Sequence, residues 1–599
     1  MEKVKIRSEI KDEFKWDLSS IYKDINLWNK DYETAIKEID LIKKYKANFL
    51  NSKENLLEYL NFSEKLERLI LKIYYYAHLN YDSNTLDNKY EKLYEKAKNL
   101  YNKYALESSF FTPMVIKFDS NKLNLYLNES KELSKYKRMF DEIIRYKNHT
   151  LSEDKEEFIH KFSKVLDNPQ TTYKSLIYSD IKFDNVLDKD NNSLELNDNN
   201  YSVYLMSSDR ILRKNAFLNL FNGYSNYKNI ITKLFTGNME SNVVISRLKN
   251  YKNALNASQF SENISEGVYT NLIKVVNDNL NVMHKFYKMK KDILKLDDMH
   301  IYDTYVPLLN DYDKDFSFKE AKELAIKSLS ILGDDYVKTL EKAFDEKWID
   351  VYYNKGKYTG AYSSGFYDIN PFVLLNYKNK IDDVSTLVHE LGHSMHTYYS
   401  CKNNMYVYSN YDIFVAEVAS TVNELLLANY MLLNSNKKEE KLSILNHIID
   451  MFKATLYRQT MFAEFEYEIY KKYENDENLT NEEISEFYLS LVKKYHGNNV
   501  VIDEEIKYEW MRIPHFYYNF YVYKYATGIS AACYIVNSII NGKKDAVKNY
   551  IEFLKTGGSM YPLDELKIAG VDLTDEKTIK SAIDMFDSYI DEFIKIYNS

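Results

Sequence analysis

Two histidines and a glutamate lie within five residues, in the run His-Glu-Leu-Gly-His from 389 to 393. On a helix, residues four apart share one face, so His389 and His393 can each give a ring nitrogen to one metal ion. Glu390 then lies one position round the helix, beside that metal. A zinc ion held by three protein groups keeps a fourth position for water and lowers the pKa of that water to about 7. The spacing therefore predicts a hydrolytic zinc site in which Glu390 is the general base.

A site of this kind needs a third ligand, and the downstream segment from 412 to 424 supplies a candidate. A chance occurrence of the His-Glu-Leu-Gly-His run is the alternative to a metal site, although 11 histidines in 599 residues make it uncommon. The segment has the pattern of a second apolar helix, and Glu417 stands in it among small and apolar neighbours. A carboxylate in such surroundings needs a cation, so Glu417 is the predicted third ligand. Thr421 and Glu424 follow on the same face, where either could hold the free nitrogen of a ligand histidine.

The two histidines act together only if their segment is a helix, and the stretch from 383 to 399 has the helical pattern. Its apolar residues recur at the spacing of one buried stripe, and Asp382 or Asp383 is the predicted N-cap. Gly392 departs from the pattern, because glycine costs about 1 kcal/mol relative to alanine inside a helix. It predicts a point where another backbone packs too closely for a side chain. The stripe consists of Val384, Leu387, Val388, Leu391 and Met395.

His396 continues the histidine face three residues after His393. The helix rises by 1.5 Å per residue, so 389 and 396 lie about 10 Å apart, too far for both to bind one ion with His393 between them. We therefore predict a structural or supporting role for His396 rather than a ligand role.

Composition limits the class of protein. The 599 residues are 45% hydrophobic and 28% charged, which is typical of a folded globular chain. Six prolines and 14 glycines are few for this length and favour long helices with short connections. The formal net charge of −9 argues against a nucleic-acid partner, because phosphate binding needs a basic face.

The chain also carries signals about its surroundings. Cys401 and Cys533 are the two cysteines, so no disulfide framework is predicted and a reducing compartment is suitable. The start of the chain lacks the apolar core of a signal peptide, and no stretch reaches the length of a membrane span. We predict a cytoplasmic protein without a membrane partner.

A strand is predicted close to the zinc helix. Three of the 14 glycines fall between 356 and 365, which suggests short strands and tight turns. An exposed strand edge at 360–366 could pair with an extended peptide. A plain structural hairpin is the alternative. Elsewhere the residues from 17 to 110 have helical patterning, and the Asp/Asn-rich run from 184 to 200 predicts turns and short strands.

Several blocks of this sequence resemble oligoendopeptidase F, in the wider family of thimet-type zinc oligopeptidases. The likeness runs through most of the chain in order, so it is far more specific than the His-Glu-Leu-Gly-His run alone. The blocks are Trp16-Asp-Leu, 360–371, 389–396, Glu417-Val-Ala-Ser, 513–528 and 557–570.

The resemblance implies a mostly α-helical, zincin-like body with a deep substrate channel and a small β-sheet beside the metal. It implies one zinc ion per chain, held by His389, His393 and Glu417, and hydrolysis of internal bonds in short oligopeptides by attack of a zinc-bound water. His515 matches the family's histidine that contacts the substrate or the oxyanion. Tyr523 matches its tyrosine that hydrogen-bonds the tetrahedral intermediate, and Tyr518 is a second candidate for that role.

The domain organisation is predicted in three parts. Residues 1–112 form an N-terminal helical layer, 113–200 a domain like the N-terminal domain of oligopeptidase F, and 201–599 the zinc metallopeptidase domain. The oligomeric state is left open. Two other functions stay possible on the sequence: a metal-free helical protein that holds peptides without cutting them, and a zinc carboxypeptidase of similar build.

Overall fold

The structure is a computed structural model that describes residues 4–309 and 314–599. Its contacts divide the chain into two compact units, and each unit is assembled from three separate segments. The first unit comprises 1–148, 314–430 and 538–570, and the second comprises 149–313, 431–537 and 571–599. Each unit therefore depends on contacts between residues that are far apart in sequence.

The first unit is mainly helical. Its longest helix, Lys53–Ser83, begins at Ser52, whose hydroxyl accepts the Asn55 backbone N–H as an N-cap. The α-helices of this unit are Ile25–Ile39, Ile42–Lys46, Lys53–Ser83, Asn88–Ser108, Phe111–Lys117, Ser120–Glu129, Lys137–Arg145, Phe318–Leu329, Asp334–Asp345, Ile381–Asn403, Ala546–Thr556 and Pro562–Ile568, with most of Ile413–Asn434.

A small three-stranded sheet belongs to the first unit. Its central strand, Phe372–Leu374, pairs in parallel with Ile349–Asp350 and antiparallel with Tyr362–Ser364. In the antiparallel pair Ser363 lies opposite Val373. Tyr362–Ser364 is thus an edge strand, and it falls within the range 360–366 predicted for a strand.

The second unit is also mainly helical and carries one short hairpin, in which Val186–Leu187 pairs antiparallel with Ser193–Leu194. This hairpin lies in the Asp/Asn-rich run, as predicted. The α-helices are Glu153–Leu166, Asn168–Ser175, Asp198–Met206, Arg210–Ser225, Lys228–Leu248, Ala254–Gln259, Glu266–Asp278, Leu280–Ile293, Lys438–Phe452, Arg458–Glu474, Asn481–His496 and Glu576–Asn598, with most of Tyr523–Ile540; π-helical turns occur at Leu176–Asp180 and Lys453–Tyr457.

The predicted fold class, mostly α with a small β-sheet, is confirmed. Cys401 and Cys533 are both free thiols, in agreement with the absence of a predicted disulfide framework. Among the described residues, every helix is too short or too polar to cross a lipid bilayer.

Candidate active site

The His-Glu-Leu-Gly-His run lies in the helix Ile381–Asn403, here called the histidine helix. The predicted stripe is fully buried, since all five of its apolar side chains have no exposed surface. The predicted N-cap is wrong: Lys380 is the N-cap, and both aspartates lie in the first turn. Asp383 instead accepts the backbone N–H groups of Lys378 and Lys380, each at 2.9 Å, so it satisfies the helix start from inside the helix.

A second helix, Ile413–Asn434, packs against the histidine helix and is called the glutamate helix. The contact is close at Gly392, where a Cβ atom would lie 2.6 Å from Ser420 Cα and 2.7 Å from the Ala419 carbonyl oxygen. This confirms the predicted reason for a glycine inside a helix. Buried Asn423 joins the helices, because its side-chain amide donates to the Val388 carbonyl at 3.2 Å.

This packing brings three potential metal ligands together. Nε2 of His389 lies 3.2 Å from Nε2 of His393, and Oε2 of Glu417 lies 3.5 Å from the first nitrogen and 3.6 Å from the second. Zinc–ligand bonds of about 2.0–2.1 Å in tetrahedral geometry separate neighbouring ligand atoms by about 3.4 Å. The three donor atoms therefore have the types and the spacing that a zinc ion needs.

The ligand side chains are held by further hydrogen bonds. Nδ1 of His389 donates to Glu424 Oε1 at 2.6 Å, and the Ser385 hydroxyl donates to the other oxygen of Glu424 at 2.9 Å. This bond places the proton of a neutral His389 on Nδ1 and leaves the Nε2 lone pair for a metal. Glu424 thus has the supporting contact predicted for it, whereas Thr421 makes no hydrogen bond to a histidine in the described part of the chain.

The protein groups of the site carry surplus negative charge. Burial lowers the pKa of His389, but the Glu424 hydrogen bond and the nearby carboxylates outweigh it and raise the pKa to about 9. Burial, with the positive charge of His389, lowers the pKa of His393 to about 4. One protonated imidazole therefore stands among three carboxylates, those of residues 390, 417 and 424. This balance suits a divalent cation.

Glu390 is the buried carboxylate beside these ligands. Its side chain is 7% exposed, and burial raises its pKa to about 7. The backbone N–H of Ser363 hydrogen-bonds to it, and the Ser363 hydroxyl lies 2.8 Å from the hydroxyl of Ser394 on the histidine helix. The edge strand Tyr362–Ser364 consequently runs along the candidate catalytic carboxylate. Ser385 and Ser363 escaped the sequence analysis, although Ser385 precedes His389 by one helical turn and could have been found from that spacing.

The surroundings of His396 fit the structural role predicted for it. It is fully buried and stacks on Tyr411, with ring centroids 3.6 Å apart and planes 6° from parallel. Burial lowers its pKa to about 3, so the ring is neutral.

The other predicted catalytic residues, His515, Tyr518 and Tyr523, lie in the second unit. His515 is half-buried and lies in the turn Pro514–Tyr517, after the helix Asn481–His496 and the 3-10 segment Glu504–Arg512. Tyr518 is 45% exposed, and its ring centroid lies 5.9 Å from that of His515. Tyr523 is fully buried, with its ring against Tyr269 at 4.8 Å and its hydroxyl accepting the Gln259 amide at 3.3 Å.

Two tyrosines that the sequence analysis did not select also lie near His515. Tyr521 and Tyr525 are half-buried, each with a ring centroid 6.3 Å from His515. They are four residues apart, so the helical period could have paired them with each other and separated them from Tyr523. Their direction is set by a turn at Asn519 and Phe520, both with positive φ, where the Phe520 N–H donates to buried Glu466 at 2.7 Å.

The chain is similar to known peptidases over nearly its whole length. The family described as Peptidase family M3 matches residues 203–585, and the one described as Oligopeptidase F matches 115–183. The chain is 41% identical to Oligopeptidase PepF of Bacillus subtilis over 98% of this chain and 88% of that protein. It is 40% identical to an oligoendopeptidase F homolog of Borreliella burgdorferi over 99% of both. The crystal structure of oligoendopeptidase-F from Enterococcus faecium aligns with a TM-score of 0.74 and 30% identity, covering 96% of this chain and 99% of that one.

The fold, the site and these matches define a metal-dependent endopeptidase that acts on oligopeptides. The chain belongs to peptidase family M3, in the oligoendopeptidase F group. The metal-free binding protein considered on the sequence is thereby set aside.

Proposed function

We propose that the chain hydrolyses internal peptide bonds of short peptides with one zinc ion, held by His389, His393 and Glu417. The observation that carries this proposal is the triangle of two Nε2 atoms and one carboxylate oxygen with sides of 3.2 to 3.6 Å. A bound zinc ion would polarise the scissile carbonyl and lower the pKa of water at the site.

Glu390 is the proposed general base. It is next to His389 in sequence and buried beside the ligands, so it can take the proton of the attacking water and deliver it to the leaving amine nitrogen. Burial keeps bulk water from competing for that proton. The same carboxylate serves both transfers without moving between sites.

The edge strand Tyr362–Ser364 is the proposed guide for the substrate. Its inner side pairs with Phe372–Leu374, so its outer side offers backbone groups to an extended peptide. The contact between Ser363 and Glu390 supports this role, since a peptide paired with this strand would run beside the proposed base. Backbone pairing does not depend on the side chains of the substrate, so it suits a peptidase that cleaves peptides of varied sequence.

His515 and a tyrosine hydroxyl are the proposed donors to the oxyanion formed when water attacks the carbonyl. Such a donor contributes about 10²–10³-fold to kcat. Tyr523 and Tyr518 were predicted for this role, and the rings around His515 add Tyr521 and Tyr525. Phenylalanine at each position in turn assigns the hydroxyl. We expect kcat to fall in Tyr521→Phe or Tyr525→Phe. If kcat instead falls in Tyr523→Phe while its stability is unchanged, the role belongs to Tyr523.

The test of the whole proposal is Glu390→Gln. Because glutamine keeps the shape but cannot accept the proton, we expect one zinc ion per chain by elemental analysis and a fall in kcat of about 10²–10⁴-fold. The substrate is a peptide blocked at its C-terminus, which a carboxypeptidase cannot cut. Appreciable cleavage by this variant, or a purified wild-type chain that binds no zinc, contradicts the proposal.

A further inference from the structure

A cavity of about 300 Å³ lies inside the second unit, built entirely from residues of that unit. Its wall is formed by the helix Leu280–Ile293, by Thr304 and Tyr305, by the π-helical turn Lys453–Tyr457 with the following turn, and by the end of the helix Asn481–His496. A volume of this size is at the lower end of the range for small-molecule sites, about 300–1,000 Å³. None of the residues assigned above to peptide hydrolysis lines it.

Most of the wall is apolar or aromatic. Three methionines and four tyrosines line the cavity: Met206, Met283, Met461, Tyr287, Tyr305, Tyr457 and Tyr495. Methionine side chains adapt to irregular apolar groups, and aromatic rings offer flat contact area. Tyr457 is 1% exposed, and its hydroxyl has no hydrogen-bond partner among the described residues. That hydroxyl is wholly buried, so the surface that Tyr457 gives to the cavity comes from its other atoms.

The charged side chains of the wall are not all paired with opposite charges. Arg458 is neutralised by Glu509, whose Oε1 accepts Arg458 Nη2 at 2.8 Å. Lys453 donates to the neutral Thr304 carbonyl at 2.9 Å and lies over the Tyr305 ring at 4.7 Å. Among the described residues it has no ion pair, although the charge of Asp450 acts on it. Asp450 also lines the cavity, with the Asn446 amide donating to one of its oxygens at 3.2 Å.

A further cation lies on the helix that forms this wall. Lys290 is 1% exposed and follows Met283 and Tyr287 on the same helical face. In the described part of the chain its ammonium has no hydrogen bond or ion pair, and it lies 5.8 Å from the centre of the Phe286 ring. Burial, together with the charge of Lys453, lowers the pKa of Lys290 to about 7. Lys453 is thus the cation of the wall that has no ion pair among the described residues, and a bound anion would supply one.

The backbone of the wall is also unusual. Lys453, Ala454 and Tyr457 belong to a π-helical turn between the helices Lys438–Phe452 and Arg458–Glu474. Such turns are rare and occur frequently at functional sites, because one extra residue in a turn redirects the side chains around it. Here it places Lys453 and the small Ala454 side by side in the wall of the cavity.

We propose that this cavity binds a small molecule with one carboxylate and a compact apolar body. Lys453 holds the carboxylate, and the methionines surround the body. Two sources share this chemistry: a simple carboxylic acid, and a free amino acid or dipeptide whose ammonium Asp450 would hold. A single ammonium without an ion pair favours a monocarboxylate over phosphate, and the apolar wall favours it over chloride.

Isothermal titration of the zinc-loaded full chain tests the proposal, with 4-methylpentanoate, L-leucine and 3-methylbutylamine as probes. These share an apolar body and carry a carboxylate, both groups, or an ammonium alone. We expect saturable binding, with Kd below about 1 mM, for at least one of the two carboxylates and none for the amine. The probe that binds more tightly identifies the source, and Asp450→Asn should weaken L-leucine without affecting 4-methylpentanoate.

Variants locate the binding in this cavity. Lys453→Met keeps the length of the side chain and removes its charge, so we expect carboxylate binding at least tenfold weaker. Lys471→Met changes an exposed lysine of the helix Arg458–Glu474 and should leave binding unchanged. If Lys453→Met fails to fold, Ala454→Phe decides, because it fills the cavity and should abolish binding. Binding that survives both cavity variants, no carboxylate binding to the wild type, or equal competition by chloride or phosphate overturns the proposal.

Discussion

Two glutamates seven residues apart on one helix have different surroundings in this site. Glu417 directs an oxygen at both ligand histidines, while Glu424 accepts the Nδ1 proton of His389. Seven residues are two helical turns, so both side chains share a face but reach different parts of the histidine helix. This difference could be predicted from spacing. The hydrogen bond from Ser385 that orients Glu424 depends on how the two helices pack.

Glu424→Gln should weaken zinc binding. The amide oxygen can still accept a hydrogen bond from His389, but the charge that increases the basicity of the imidazole is gone, and changes of this kind lower metal affinity about 10–100-fold. Competition with a chelator of known affinity measures the zinc Kd. Thr421→Val is the matched control, because Thr421 lies between the two glutamates and makes no hydrogen bond to a histidine in the described chain. Equal Kd values for Glu424→Gln and wild type contradict the role of Glu424.

We expect buried Glu565 to make the free energy of unfolding depend on pH. It has no exposed surface, neither carboxylate oxygen has a hydrogen-bond partner among the described residues, and burial raises its pKa from 4.5 to about 9. Between pH 4.5 and about pH 9 the folded chain keeps this proton, whereas the unfolded chain loses it. The stabilising contribution is therefore complete below pH 4.5 and is lost as the pH rises toward 9, by about 1.4 kcal/mol per pH unit.

Glu565→Gln should remove this loss because the amide does not ionise. We expect the variant to be more stable than wild type at pH 8, with a smaller difference at pH 6, in urea unfolding followed by circular dichroism. Asp564→Asn is the control, since this neighbouring carboxylate is 56% exposed and paired with Lys567. A difference between Glu565→Gln and wild type that is the same at both pH values would mean that Glu565 keeps no proton.

At the scale of elements, the apolar period predicted the histidine and glutamate helices, although both are buried on more than one face. The capping residue was harder to predict. An aspartate before an apolar period can be an N-cap or can lie in the first turn and accept N–H groups from the residues before it, as Asp383 does. The direction of the preceding chain decides between these, and that direction follows from packing rather than from local sequence.

Gly392→Ala should force the two site helices apart. Its Cβ would lie 2.6 Å from Ser420 Cα, and backbone atoms cannot move aside as a flexible side chain can. Overpacking of this kind costs about 1–3 kcal/mol. Because Glu417 lies one turn before Ser420, zinc affinity should fall as well. Thermal unfolding and chelator competition measure the two effects.

Gly237→Ala is the matched control for a helical glycine. In the helix Lys228–Leu248 its Cβ would meet Pro169 at 3.5 Å, an ordinary contact. Alanine should therefore be neutral or add up to about 1 kcal/mol through its helix propensity. If both variants lose the same stability, the contact at Gly392 is not the cause.

The elements around His515 show why some site residues escaped the sequence analysis. Tyr521 and Tyr525 differ from Tyr523 only in the direction of their side chains, which depends on where the helix Tyr523–Ile540 begins. The left-handed turn at Asn519 and Phe520 sets that point, and Glu466 stabilises it from another helix. Phenylalanine rarely adopts positive φ, so local propensity predicts no such turn.

At the scale of the whole molecule, each compact unit draws on three segments of the chain. Pairing of segments hundreds of residues apart leaves no local signal in composition or periodicity. The domain boundaries predicted after residues 112 and 200 therefore stay predictions. The substrate channel and the cytoplasmic location also stay predictions. The match to Peptidase family M3 begins at residue 203, close to the second of these boundaries.

Removal of the metal should destabilise the chain. The ligands come from the histidine helix and the glutamate helix, so a bound ion would tie the two helices together and offset the surplus negative charge of the site. Zinc at 1,000 times its Kd stabilises the folded state by about 4 kcal/mol through mass action. A chelator should therefore lower the unfolding temperature, and added zinc should restore it. Glu417→Ala supplies the control, because a chain that cannot retain the ion should unfold at the same temperature with and without chelator. An equal shift in this variant and in wild type would mean that the chelator acts elsewhere and that Glu417 is not a ligand.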